Sequence, residues 1–321
     1  IMKQKHVVKT NSEIILPKKW HNNKEGLTAL LNLYNTGKKC QTLILTFEKS
    51  IYISFNIFVF LKLCVDRLAI YFNTEILYYT GDKNSKFTEP RIFNNINILF
   101  PLTQNYGEKM KYNFWNNYSY NDETLFKSDL ENALKQYDEE YLQSYLRLNI
   151  SELFINACNH SGYIENLGEY GIYFGISITD KKTRFVMANN GNFFSKELIE
   201  KLNMSYPNEY DYIKKCLEYG FSTKTESNGG LGLHIINQLA KNCYAKLLIV
   251  SGKGLFCNIY SNDTILDSRY INVNEQSEDL DSALPGNVVY IEVENDYLTI
   301  ENIKKDEEED YLSQILIKGG D

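Results

Sequence analysis

Clusters of lysine and arginine are missing from this chain. Its 321 residues carry 34 Lys and Arg against 41 Asp and Glu, a formal net charge of −7. No basic arm offsets that balance. A nucleic-acid backbone is therefore a poor partner, because phosphate binding rests on grouped cations. Paired cysteines are missing too. The six cysteines, at 40, 64, 158, 216, 243 and 257, include no C-x-x-C, and with only four histidines no zinc spacing arises. Isolated thiols of this kind pack as small hydrophobes and suit a reducing compartment. Long apolar runs are absent as well. The opening "IMKQKHVVKTNSEI" lacks the apolar core of a signal peptide, and "IYISFNIFVFLKLCV" (51–65) is interrupted by Asn56 and Lys62. The chain reads as soluble and cytoplasmic, without a membrane segment.

What is present is enough apolar material, 43% of residues, for a real core, and a length that suggests two domains. "QTLILTF" (41–47) reads as a buried strand. "SFNIFVFLKLCVDRLAIYF" (54–72) has apolar residues at 55, 58, 61, 65 and 68, the spacing of a helix. "TEILYYT" (74–80) reads as a second strand, so strand–helix–strand gives a small α/β domain over 1–105. "YNFWNNYSYNDE" (112–123) has no clear period and reads as a connection, within a linking segment and helix over 106–148. From Ser128 the period is helical, through Leu130, Leu134, Tyr137, Tyr141, Tyr145 and Leu148, leading into a further helix at 149–162. Two strands follow, 170–180 and 183–191, separated by "DKK", then a short helix over 196–203. A helix "LHIINQLAKN" (233–242) precedes "AKLLIVSGKGLFCNIYS" and "GNVVYIEVE", which complete an antiparallel β region. The acidic "KKDEEED" (304–310) belongs to a solvated tail over 296–321.

Three polar constellations stand in order along the second half. In "ELFINACNHS" (152–161), Glu152 and Asn156 are one helical turn apart and share a face. A carboxylate there could activate water, and an amide oxygen could hold Mg²⁺, which needs few protein ligands when phosphates supply the rest. The same pattern also suits a plain amphipathic helix with Leu153, Ile155, Ala157 and Cys158 inside. In "MANNGNFF" (187–194), Asn189 and Gly191 end a strand, where a polar side chain can read a base edge; an ordinary Asn-Gly turn would look alike. In "GFSTKTESNGGLGLHIINQLAK" (220–241), Thr223 and Lys224 lead to Gly229, Gly230, Leu231 and Gly232 at the start of a helix. Unpaired amides and the helix dipole favour an anion at such a point. A loop without a ligand would also accommodate those glycines.

Together, in this order, the three pieces resemble the GHKL (Bergerat-fold) ATP-binding domain shared by gyrase, MutL and histidine kinases. "ELFINACNHS" looks like the family's Asn box, "NNG" like its first glycine box, and "FSTK…NGGLGL" like the lid edge and second glycine box. "SGKGLF" and "LPGNVVYIEV" resemble its last strands. The resemblance covers 149–295. It implies a C-terminal α/β sandwich with a mixed, largely antiparallel sheet, preceded here by the small α/β domain. It further implies Asn156 as the Mg²⁺ ligand, Glu152 as general base, Thr223 and Lys224 at the lid edge, and amides around Gly229, Gly230, Leu231 and Gly232 as the phosphate cradle, with ATP as ligand. His160, Ser161 and His234 fall within these boxes as local structure. Two departures stand out. The family's adenine-reading Asp falls on Asn189, and its next glycine on Phe193. A neutral amide both donates and accepts, so base selectivity is looser than with a carboxylate. Asn228 replaces the first glycine of the second box and tolerates left-handed backbone.

The front domain loosely resembles a STAS-like regulatory domain, on its strand-to-helix turn with Ser50 and Ser54; a small docking or dimerisation domain fits equally. Three functions follow. One is an ATP-dependent conformational switch with slow hydrolysis in bacterial signalling or defence, acting on a protein partner. The second is an anti-sigma-type serine kinase. The third is a nucleotide-binding module that never turns over. Histidine autokinase activity is disfavoured, because outside the boxes only His6 and His21 occur and neither lies in a long helical pattern. A homodimer follows only by analogy with the family.

Overall fold

The structure is a computed structural model that describes residues 10–16, 19–20, 24–47, 52–80, 86–87, 109–160, 171–218, 221, 232–261, 271–272 and 276–304. The chain forms two compact units, Ile1–Tyr106 and Gly107–Asp321.

In the first unit the described elements are β1 (Thr10–Ile15), β2 (Lys19–Trp20), α1 (Lys24–Gly37), β3 (Cys40–Phe47), β4 (Tyr52–Ile53), α2 (Phe55–Phe72), β5 (Glu75–Thr80) and β6 (Lys86–Phe87). The sheet order is β1-β3-β5-β6, with β1, β3 and β5 parallel and β6 antiparallel to β5. Parallel neighbours need a crossover, and α1 and α2 supply the two required. The helices pack on each other, α1 covering β3 and α2 covering β5. Ile57 through Leu61 are all buried, so α2 is apolar on every side over its first turns and not merely on one stripe. It stops at Asn73, which takes the left-handed conformation (φ 51) and returns its N–H to the Leu68 carbonyl. The strand–helix–strand of the sequence is present; β1 and α1 extend it and had no counterpart among the sequence expectations.

The second unit contains β7 (Met110–Tyr118), α3 (Glu123–Leu134), α4 (Glu140–His160), β8 (Ile172–Thr179), β9 (Lys182–Asn189), α5 (Phe194–Leu202), α6 (Glu209–Cys216), α7 (Gly232–Asn242), β10 (Lys246–Ser251), β11 (Gly254–Ser261), β12 (Ile271–Asn272), β13 (Gln276–Asp279) and β14 (Asn287–Glu294). The sheet runs β12-β11-β10-β14-β9-β8-β7, with β13 also on β11. Every pairing described in it is antiparallel, so the mixed character expected there is corrected: among the described residues parallel pairing occurs only in the first unit. Helix α4 packs on β8, β9 and α7, and α7 packs on β10.

Two boundaries differ from the sequence expectation. The aromatic stretch read as a connection is β7, a full strand of the sheet. Its last residue, Tyr118, is fully buried and sits edge-on to Phe126 and Phe154, whose rings stack 4.0 Å apart. Its hydroxyl donates to Asp129 on α3 (2.8 Å), so a strand of weak alternation is held by ring packing and one bond. The second difference lies at residue 149. The chain breaks between α3 and α4 at 135–139 and then continues as one helix through 149. The tail also begins inside the core, since Leu298 and Ile303 are buried in the second unit's cluster. None of the six cysteines is in a disulfide, and Cys40, Cys64 and Cys243 are buried as small hydrophobes. Among the described residues no helix is long and apolar enough to cross a membrane.

Candidate functional site

Helix α4 turns Leu153, Phe154 and Ala157 into the core and leaves Glu152 and Asn156 half-buried on a shared face. Phe154, not Ile155, takes the inner position, and Ile155 is half-buried. Neither Glu152 nor Asn156 spends its side chain on a hydrogen bond among the described residues. Their polar atoms are available on one face of a rigid helix.

The last four carbonyls of a helix have no partner within it. That of Ala157, one residue past Asn156, is taken by Asn189 at the end of β9: Asn189 Nδ2 donates to it at 3.2 Å. This bond brings the second constellation against the first. Asn189, Asn287 and Ser251 are directly opposite one another on β9, β14 and β10 and form one polar row on the same side of the sheet. Asn287 Nδ2 donates to Asn189 Oδ1 (2.9 Å) and to the Asn192 carbonyl (2.7 Å). Ser251 Oγ donates to Asn287 Oδ1 (2.7 Å) and accepts from the Phe194 N–H (2.8 Å). The row is buried, Asn189 and Asn287 each at 5% exposure. Its direction is forced from both ends. A backbone N–H can only donate and a backbone carbonyl can only accept, so both amides have one self-consistent orientation.

Gly286 delivers β14 to this point. Its φ is +67°, and a side chain on it would begin 1.9 Å from the Asn189 carbonyl oxygen. Gly191 is half-buried just beyond β9, and the neighbouring Asn190 N–H bonds the Gly171 carbonyl at 2.8 Å. Phe193 is extended (φ −67, ψ 154) and sits immediately before α5, with its carbonyl accepting from Glu197.

Helix α7 begins at Gly232 and packs on α4, which places the helical end of the third constellation against the helix of the first. His234 is tied into structure, with Nδ1 donating to the Leu217 carbonyl at 3.1 Å. Asn237 accepts from the Tyr260 hydroxyl at 2.7 Å. Thr223, Lys224, Gly229, Gly230 and Leu231 lie outside the described residues, as do Asn228, Ser161, His6 and His21. The structure thus sets Asn189 against the backbone of α4 one residue past Asn156, and α4 packs on the helix that Gly232 opens.

No group of three or more His, Cys, Asp or Glu that could hold a metal occurs among the described residues. A cation at Asn156 would need oxygens from a ligand and from water. That is the habit of Mg²⁺, and a half-buried amide oxygen without a hydrogen bond fits it. Charge gathers elsewhere: at the far end of β9 and β14, Glu292 pairs with Arg184 (2.6 Å) and Lys182 (3.1 Å). Burial alone would raise the Glu292 carboxyl, but the two cations outweigh it and hold it down at about 2.

Sequence reasoning missed Asn287 and Ser251. Their only local signal is position: Asn287 follows Pro-Gly at the start of the last strand, and Ser251 precedes Gly252 at a tight hairpin. No protein-family model matches the chain, and no curated protein matches it.

Proposed function

We propose that the second unit is a GHKL-type nucleotide-binding domain that takes Mg-ATP, and that the protein is an ATP-dependent conformational switch with slow hydrolysis. One observation carries the reading: Asn189 at the end of β9 is bonded to the α4 carbonyl next to Asn156, in a unit where α4, the β8–β9 hairpin and α7 follow in the order the three motifs require. Asn156 would supply its amide oxygen to Mg²⁺. Glu152, one turn away, would orient and deprotonate water. Amides at the start of α7, with Gly229, Gly230, Leu231 and Gly232, would face the phosphates, and Thr223 and Lys224 would close over them. Bound Mg²⁺ would neutralise the charge that develops on the phosphates during hydrolysis.

The first unit is proposed as a STAS-like docking or regulatory domain for a protein partner. Its parallel β1-β3-β5 core with α1 and α2 in the crossovers supports an α/β domain of that general kind. The setting is bacterial signalling or defence in the cytoplasm, and a homodimer is the expected assembly.

Calorimetric titration of the purified protein with ATP, ADP and GTP, with and without Mg²⁺, tests the reading. Mg-dependent ATP binding is the expected result, followed by slow phosphate release. Absence of binding to every nucleotide would remove the proposal. Transfer of labelled phosphate to protein would replace the switch with a serine kinase, and binding without release would leave a module that does not turn over.

A further inference from the structure

We infer that Ser251 is a positioning residue which couples α5 to the nucleotide site, so that Mg-ATP binding on α4 orders the start of α5. The inference rests on the nucleotide reading above.

Four hydrogen bonds run in one direction from α5 to α4. The Phe194 N–H donates to Ser251 Oγ (2.8 Å), and the Ser251 hydroxyl donates to Asn287 Oδ1 (2.7 Å). Asn287 Nδ2 donates to Asn189 Oδ1 (2.9 Å), and Asn189 Nδ2 donates to the Ala157 carbonyl (3.2 Å). Each side chain in the row accepts from one neighbour and donates to the next. Bonds in such a chain polarise one another, so the loss of one weakens the others. The three side chains are buried, Ser251 at 2% and the two amides at 5%, where a lost partner is not replaced by bulk water.

The two ends of the row give it a use. Helix α5 has nine residues, too few to hold its first turn by propensity alone, and Phe193 before it makes no side-chain cap bond. The first N–H of α5 is one of its orphan donors, and it is satisfied from β10 by Ser251. At the other end the Ala157 carbonyl is an orphan acceptor of α4, one residue past Asn156. A ligand held through Asn156 would fix the end of α4, and with it the acceptor at the foot of the chain. A fixed acceptor lowers the entropy cost of ordering α5. The coupling is reciprocal, so an ordered α5 strengthens binding on α4 by the same factor. Asn287 also donates to the Asn192 carbonyl (2.7 Å), which ties the segment leading into α5 to the same row. The Ser251 hydroxyl bonds Phe194 and Asn287 and neither Glu152 nor Asn156, so any effect of Ser251 on the nucleotide travels through the row.

The test is hydrogen exchange at the start of α5 in the full chain, with and without saturating Mg-ATP, beside calorimetric affinity. In the unaltered protein Mg-ATP should slow that exchange by about fivefold or more, the scale of one neutral hydrogen bond. Ser251→Ala should speed exchange in the ligand-free protein, abolish the slowing by Mg-ATP and weaken Mg-ATP binding by a comparable factor. Ser251→Thr keeps the hydroxyl and should restore all three. Without ligand, Asn189→Ala should speed exchange at α5 as Ser251→Ala does, although Asn189 makes no bond to that helix. A purely structural role for Ser251 would speed ligand-free exchange and leave both the slowing and the affinity as they were. That result overturns the inference. So does unchanged exchange at α5 in Asn189→Ala, or Mg-ATP binding without slowing in the unaltered protein; each leaves nucleotide binding intact. Failure to bind any nucleotide overturns both.

Discussion

The carbonyl oxygen of Asn189 lies 1.9 Å from the point where a side chain on Gly286 would begin. Backbone meets backbone there because β14 must come close enough for Asn287 to reach Asn189 across the strands. Gly286 also holds φ at +67°, which side chains resist.

Gly286→Ala should therefore lower the stability of the second unit by on the order of 3 kcal/mol or more, combining left-handed strain with a clash that neither backbone can yield to cheaply. Urea unfolding would read it. A variant as stable as the parent would mean that the β9–β14 contact is not as tight as described.

The two half-buried polar residues of α4 should separate in function. Asn156→Ala should abolish Mg-nucleotide binding. Glu152→Ala should bind normally and lose turnover by on the order of 100-fold or more, the range for removing a general base. Normal Mg-ATP binding by Asn156→Ala would show that the site is misassigned.

Glu292 gives a pH signature. Its folded-state value is about 2 against an ordinary 4.5, with burial opposing and Arg184 and Lys182 prevailing. A depressed carboxyl stabilises the fold fully above its unfolded value and loses that contribution as pH falls toward the folded one. Glu292→Gln should cost about 2 kcal/mol at pH 7, the scale of charge-assisted bonds, and the deficit should narrow below about pH 4.5. Melting temperatures of both proteins from pH 7 to 3 would show the convergence; a gap that is constant with pH would contradict it.

Helix α6 is capped from a distance. Asp279 on β13 accepts from the N–H groups of Glu209 and Tyr210, each at 3.0 Å, while the residue before the helix, Asn208, makes no side-chain cap bond. Asp279→Ala should cost about 1 kcal/mol and speed hydrogen exchange at the start of α6. Unchanged exchange there would assign the capping to other groups.

The N-terminal strand–helix–strand was legible because its pattern is local. The apolar spacing of residues 55, 58, 61, 65 and 68 marks a helix without reference to anything outside it. Strand β7 was not legible. "MKYNFWNNY" alternates poorly, and its place in the sheet depends on Tyr118 packing against Phe126 and Phe154 and bonding Asp129. The break at 135–139 was hidden for a related reason: Leu134, Tyr137 and Tyr141 keep helical spacing straight through it.

The sequence alone determined β8, β9, α5, α7, β10, β11 and β14 and their order, because strand and helix periods and the glycines between them are properties of neighbouring residues. It placed Glu152 and Asn156 on one helical face and Asn189 at a strand end. Only the tertiary structure decided what those groups meet. Ala157 and Asn189 are 32 residues apart in the chain, and Asn189 and Asn287 are 98 apart. Hydrogen bonds are directional and short, so the partners of Asn189 depend on strand register and on which backbone carbonyls lie within reach. No local pattern encodes that; it appears only when β9, β14 and α4 are packed.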